Sequence, residues 1–308
     1  MTTAYFFHDD GLKHVNPPGH PEQVARLLAV REALKDKDLD RREAPLGSDD
    51  EILRCHPQRY LDRLEKASPA EGWVTLDEDT SMSAGTLRAA KLAVGGSVAA
   101  VDLVLSGGAR NAFVGCRPPG HHAETETPMG FCLFGNAAIA AKRALDHHGL
   151  GRVAVVDFDV HHGNGTQDLL WDEERCLFVS SHQMPLYPGT GAPEETGEYD
   201  TVLNVPLEPG TGSRVMRQVY EGTVFPALAR FRPELLILSA GFDAHADDPL
   251  ANLNWTTGDF RWLTGQLCDI ADRFCGGRVV STLEGGYDLD ALGDAVAAHV
   301  DVLRERGA

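Results

Sequence analysis

Four runs of apolar residues stand out against the polar background: Ala112–Cys116 (AFVGC), Val153–Phe158 (VAVVDF), Leu235–Ser239 (LLILS) and Arg278–Leu283 (RVVSTL). A run without polar alternation is what a strand buried on both faces of a parallel sheet presents. Ala4–Phe7, Cys176–Ser181 and Thr201–Val205 read as further strands. Between them the spacing turns helical. Pro21 opens a helix through Leu34 with Val24, Leu27, Leu28 and Val30 on its apolar face, Asp49 and Asp50 cap a short helix, and Pro57 opens another through Lys66. Ser83–Leu105 is the longest helical pattern, and its Gly95-Gly96 pair marks close packing or a break. Asn136–His147, Ser213–Arg230 (with Pro226 near its end), Phe260–Phe274 and Leu289–Arg304 complete the helices, and Trp73–Thr80 reads as a loop or edge segment. Strands alternating with helices predict an α/β fold with a parallel sheet covered on both faces. With no repeat, low-complexity stretch or linker, residues 1–308 are expected to form a single domain.

Charge narrows the partners. With 28 Lys and Arg against 46 Asp and Glu, the net charge of −18 argues against nucleic acid, which demands basic patches. It suits a cationic small molecule or a basic peptide, and serves solubility equally well. The 6 cysteines form no CxxC pair, and MTTAYFFHDD meets Asp9 and Asp10 too early for a secretory signal, so reduced thiols and a cytoplasmic setting are expected. No stretch approaches the ~20 apolar residues of a membrane span.

The chemistry sits where the apolar runs end. FVGC is followed by RPPGHHAETETPMGFC, VAVV by DFDVHHGNG, LLILS by AGFDAHADDP, and RVVST by LEGGY. Ligands of open α/β sheets gather at the carboxyl ends of strands, so these polar loops are expected to converge on one pocket. Asp157, Asp159 and His161 fall at every second position, facing one way if the backbone stays extended. Asp159, His161 and an aspartate from the AGFDAHADDP loop would make a three-ligand site with an open position, as in catalytic zinc centres; iron(II), cobalt and manganese accept the same donors. Isolated DxH pairs are usually surface groups, and it is the company of three other polar loops that gives this one weight. His121-His122 follow a rigid Pro-Pro-Gly and can share acid–base work, whereas the same dipeptide at His147-His148 reads as a helix end. Tyr287 follows Gly285-Gly286, a turn able to bring a phenol over a pocket as a donor to an oxyanion.

Together these motifs resemble the zinc-dependent histone deacetylase and acetylpolyamine amidohydrolase superfamily, on its histone deacetylase-like (class II) side. GHPE, RPPGHHA, GFC, DFDVHHGNGTQ, PGTG, NVPL, GFDAHADDP and LEGGYD occur in the family's order across nearly the whole chain. The resemblance implies the arginase–deacetylase fold, a mostly parallel sheet of about eight strands with helices on both faces. It implies one zinc held by Asp159, His161 and Asp248, the last chosen over Asp247 because it directly precedes Pro249. His122 becomes the general base, partnered by Asn164. His121, hydrogen-bonded to Asp157, becomes an electrostatic stabiliser, and Tyr287 polarises the scissile carbonyl. Gly130 and Phe131 are expected to line the acyl channel opposite a residue the motifs do not identify. Trp255, seven residues after Asp248, is expected at the substrate-screening rim, and Arg26 in an internal cavity for the acetate product. A structural potassium is expected on the Asp157 and Ser180 side chains with the backbone carbonyls of Asp159, His161 and Ser181.

The activity so implied is removal of acetyl or other acyl groups from acetyl-lysine or a similar cationic amine, with acetylated polyamine as the alternative substrate. Two readings of other kinds compete. An arginase-type ureohydrolase would need two manganese ions bridged by aspartates, and Asp157-Phe-Asp159-Val-His161-His162 lacks the further aspartate after the histidine that a DxHxD bridging site would supply. A non-catalytic sensor of acetylated ligands would not need the complete set of His121, His122, Asp159, His161, Asp248 and Tyr287. The sequence carries no indication of oligomeric state.

Overall fold

The computed structural model describes residues 2–307; Met1 and Ala308, the outermost residues of the expected domain, lie outside it. Its strands are β1 (Thr3–Phe7), β2 (Asp40–Glu43), β3 (Trp73–Thr75), β4 (Ser81–Ser83), β5 (Asn111–Val114), β6 (Val153–Asp157), β7 (Cys176–Gln183), β8 (Val202–Leu207), β9 (Leu235–Ala240) and β10 (Val279–Leu283). Eight of them form one sheet in the order β2-β1-β5-β10-β9-β6-β7-β8, every pairing parallel, while β3 and β4 pair antiparallel on their own. The four apolar runs of the sequence are the four central strands β5, β10, β9 and β6, and because the sheet is parallel their polar sequels emerge along one rim.

Both faces of that centre are covered. In β6 and β9, Ala154, Val156, Leu236 and Leu238 enter one apolar cluster, and Val153, Val155, Leu235 and Ile237 enter the other. This is why the runs show no polar alternation. Edge strand β2, with the sequence DRRE and largely exposed, carries no apolar signal and is missing from the sequence reading.

Helix boundaries shift for identifiable reasons. The first α-helix begins at Ala25 rather than Pro21, because Glu22 is drawn into the interior between Arg26 and Arg117. Arg26, Leu27, Val30 and Leu34 face inward there, and Leu28, expected on that face, is exposed. Ser48, not Asp49 or Asp50, caps the short helix Asp49–Ile52, its Oγ accepting from the Glu51 N–H. Gly95-Gly96 lies within the unbroken helix Thr86–Leu105, where a Cβ on Gly95 would strike the Pro45 carbonyl and the Gly47 nitrogen, so the pair marks close packing. Ahead of Pro226 the helical stretch Ser213–Phe231 widens into a π-turn over Tyr220–Val224, a register change that accommodates the missing N–H. Among the described residues no helix is long and apolar enough to cross a membrane.

Candidate active site

Beyond Asp157 the chain leaves the sheet, so the pleat does not align the aspartates and His161 as their spacing suggested. Side chains do it instead: Asp157 Oδ1 accepts the Asp159 N–H (3.1 Å), and Asp159 Oδ1 accepts the His161 N–H (2.9 Å). Asp159, His161 and Asp243, all buried, then present ligand atoms within 4.8 Å of one another. His161 Nδ1 lies 3.0 Å from Asp159 Oδ1 and 3.2 Å from Asp243 Oδ2. Asp243 Oδ1 accepts the Val160 N–H at 2.9 Å, while its buried Oδ2 makes no hydrogen bond. One imidazole proton cannot serve two carboxylates. Three donors converging on a point, one left without a partner, fit a divalent cation. Burial opposes charge on the His161 imidazole, yet the carboxylates of Asp159 and Asp243 carry it up to about 10, and burial together with Asp159 raises Asp243 to about 7. The cluster therefore draws in a positive charge, a proton if no metal. Gly241 and Gly285 back it closely, since a Cβ on either would run into these carboxylates.

Asp243 therefore occupies the position expected of Asp248. Asp248 organises the neighbouring turn: its Oδ2 accepts the N–H groups of Tyr287 (2.7 Å) and Asp288 (3.4 Å), and its Oδ1 accepts that of Leu250 (3.0 Å). The preceding-proline argument misled because Pro249 shapes a loop, whereas the ligand must follow β9 closely enough to reach Asp159.

The two imidazoles of the tandem pair are held differently. His121 Nδ1 faces Asp157 Oδ2 at 2.9 Å, and His122 Nδ1 faces Asn164 Oδ1 at 2.7 Å, with the ring centres 3.9 Å apart. Burial opposes charge on His121, but Asp159 and Asp157 raise it well above its ordinary value. Burial, then the charges of His121 and His161, hold His122 well below it. The two rings are thus pushed in opposite directions, His121 toward the cation and His122 toward the neutral form, a division that acid–base catalysis can use. His162, the second imidazole of the DFDVHH stretch, turns away to Thr190 Oγ1 (2.7 Å) and Gln167 Oε1 (3.0 Å).

Tyr287 closes the site on a heavily braced loop. Arg26, expected in a product cavity, is fully buried and holds that loop: it donates to Gly286 O (2.6 Å), Glu284 O (2.5 Å) and Glu22 Oε1 (3.0 Å), with Cζ 4.9 Å from the Tyr287 ring centre. Burial pushes the phenol well above its ordinary value despite Arg26, so it keeps its proton and can donate. Glu284, which the sequence reading passed over, ties the loops together. Its Oε2 accepts the N–H groups of Gly120 (2.7 Å) and His121 (3.2 Å), and its Oε1 the Ser239 hydroxyl (2.9 Å).

A pocket leads to this centre, lined by Asp79, His122, Gly130, Phe131, His161, Leu186, Tyr187, Leu250 and Tyr287. Phe131 sits at φ +69°, a left-handed conformation costing about 1–3 kcal/mol in a non-glycine residue. The Gly130 N–H donating to Asp79 Oδ1 (3.1 Å) and the Phe131 N–H donating to Thr80 Oγ1 (3.0 Å) hold it there. Gly130 must lack a side chain, because a Cβ would overlap the His122 ring. Tyr187, ahead of PGTG, is a wall residue that sequence alone did not place, its ring centre 5.2 Å from that of His122. Trp255 is not at the rim: it is fully buried against Phe260 and Tyr220, with ring centres 5.6 and 6.3 Å away. The seventh residue after Asp243 is Leu250, and it does line the pocket. The expected potassium side chains are engaged within the protein, Asp157 as above and Ser180 Oγ with His182 Nδ1 at 3.0 Å.

Two carboxylates and one imidazole on the rim of a parallel sheet, with further imidazoles and a phenol beside them, form a donor set able to hold a divalent cation, the arrangement metal-dependent α/β hydrolases use. Residues 20–303 match the histone deacetylase domain family. The chain is 41% identical to a histone deacetylase-like amidohydrolase of Pseudomonas aeruginosa, covering 92% of this chain and 81% of that protein. It is 39% identical to histone deacetylase 10, chloroplastic, of Oryza sativa subsp. japonica, covering 92% and 69%. The crystal structure of the HDA15 HD domain superposes with a TM-score of 0.93 at 32% identity, covering 99% of this chain and 89% of that one. The chain belongs to the histone deacetylase family, and its fold is that of the family.

Proposed function

We propose that residues 1–308 form one zinc-dependent deacetylase domain that removes acetyl or other acyl groups from acyl-lysine or similar cationic amines. The observation that carries this is the convergence of Asp159, His161 and Asp243 beside the His121–His122 pair and Tyr287 at the foot of one pocket, with Asp159 and Asp157 drawing His121 toward the cation and burial holding His122 toward the neutral form. Bound zinc supplies Lewis acidity and a nucleophile at neutral pH. His122 accepts the proton of the attacking water. The Tyr287 hydroxyl donates to the oxyanion that develops on the scissile carbonyl, a contribution typically worth ~3–4 kcal/mol. His121 opposes the negative charge that builds up and, with His122, returns a proton to the departing amine. Phe131 and Tyr187 offer aromatic walls to an alkyl stem, and Asp79 at the mouth, in a protein of net charge −18, favours a cationic amine as product. The same reading places a structural potassium at Asp157 and Ser180 and the protein in the cytoplasm.

A single metal cluster among the described residues favours this over a binuclear ureohydrolase, and within it Asp243 Oδ2 is the acceptor left without a hydrogen bond. The deciding experiment reconstitutes the protein with zinc, counts the metal, and assays acetyl-lysine and longer acyl-lysine peptides beside acetylated putrescine, cadaverine and spermidine. One zinc per chain with turnover of acyl-lysine peptides is expected. Preference for the acetylated polyamines would move the substrate, two manganese ions would favour the ureohydrolase, and a zinc-loaded protein inert to the whole panel would favour the sensor.

A further inference from the structure

An asparagine beside a catalytic imidazole is ambiguous in a way an aspartate is not. A carboxylate only accepts, so Asp157 leaves His121 no choice but to donate from Nδ1. The Asn164 amide can turn either its oxygen or its nitrogen toward His122, and the two orientations demand opposite tautomers. With Oδ1 toward the ring, Nδ1 carries the proton and Nε2 keeps its lone pair; with Nδ2 toward the ring, Nε2 becomes a donor and His122 cannot accept a proton there. Something else must set the amide.

Asn164 Nδ2 lies 2.9 Å from Glu124 Oε1 and 3.4 Å from Met129 Sδ. Both partners accept and neither donates, which places the NH2 on that side and Oδ1 at His122. Glu124 is partly exposed at the mouth of the tandem-histidine loop, and its backbone N–H donates to Thr127 O at 3.0 Å, closing a turn that keeps the side chain against Asn164. We propose that Glu124 is a positioning residue for the hydrolytic reaction: by orienting the Asn164 amide it selects the His122 tautomer whose Nε2 can take a proton. Each histidine of the pair is then oriented by a carboxylate, His121 directly and His122 through an intervening amide. The amide relay keeps a negative charge out of contact with the ring that must stay neutral.

The inference rests on the hydrolytic reading, and the experiment separates the two. Glu124→Ala and Glu124→Gln, zinc-loaded, are assayed on an acetyl-lysine peptide, and the His122 ring nitrogens are followed by 15N NMR. Glu124→Ala is expected to keep its zinc, to lose roughly ten-fold in kcat with KM within about two-fold, and to convert His122 from the Nδ1–H tautomer to a mixture. Glu124→Gln, whose Oε1 still accepts from Asn164 Nδ2, is expected to recover most of kcat and the single tautomer. Wild-type kcat in Glu124→Ala, an unchanged tautomer there, or a Glu124→Gln protein as impaired as Glu124→Ala would each overturn the proposal. Should the wild-type protein hydrolyse nothing, the hydrolytic reading falls and the NMR comparison still decides what Glu124 does.

Discussion

Two settings of buried histidine in this molecule contrast. Beneath the sheet, His299 is enclosed by a hydroxyl at each ring nitrogen, Thr264 Oγ1 at 2.7 Å and Ser281 Oγ at 2.9 Å, with Phe113, Phe158 and Phe242 packed around it. Burial alone pushes it down to about 3, so it is neutral and its hydrogen bonds are complete. At the rim, His121 and His122 are almost as buried but stand beside Asp157, Asp159 and Glu284, with Asp243 across the cluster at His161. There carboxylates push one ring of the pair up and burial pushes the other down, and one acceptor, Asp243 Oδ2, has no hydrogen bond. A polar cluster that satisfies itself is structure. One that keeps surplus negative charge and a free acceptor under burial is built for a ligand.

The sharpest way to break this contrast is to remove the free acceptor. Asp243→Ala is expected to lose stoichiometric zinc and at least about 100-fold in turnover, whereas Asp248→Ala keeps the metal and loses about 10–100-fold because the Tyr287 turn loosens. Elemental analysis decides, and zinc retained in the first variant or lost in the second reverses the assignment. Next in size, Tyr287→Phe should keep its zinc and lose ~10²–10³ in kcat on acetyl-lysine; full activity would remove the phenol from the mechanism. The smallest effect tests the closed cluster. With His299 at about 3 in the folded chain against an ordinary 6.5, the unfolded chain binds the extra proton between those values. Stability is then fully present above pH 6.5 and falls as pH drops, by up to about 1.4 kcal/mol per pH unit from this group. His299→Gln should flatten the slope of unfolding free energy against pH by about one proton in that window and leave kcat unchanged. An unaltered slope would mean that His299 titrates normally.

Most of the architecture is legible along the chain. The central strands β5, β6, β9 and β10 announce themselves as largely apolar runs without polar alternation because both their faces are buried, and the polar loops after them announce the rim. Asp159, His161, His121, His122 and Tyr287 are singled out by local motifs, since each motif sits on one strand end, and Asn164 by the family resemblance. The edge strand β2 escapes detection because an exposed DRRE has no apolar signature. Tyr187 and Glu284 escape because nothing local distinguishes a wall residue or a buried brace.

What the sequence alone determined is the fold class, the rim and the residue types that meet there, because strand periodicity and loop composition are local properties. The tertiary structure decided which aspartate of AGFDAHADDP reaches His161, which pocket position belongs to Leu250 and not Trp255, and which way Asn164 faces. Each is a choice between chemically similar candidates a few residues apart. Only the distances and hydrogen-bond partners supplied by other strands separate them.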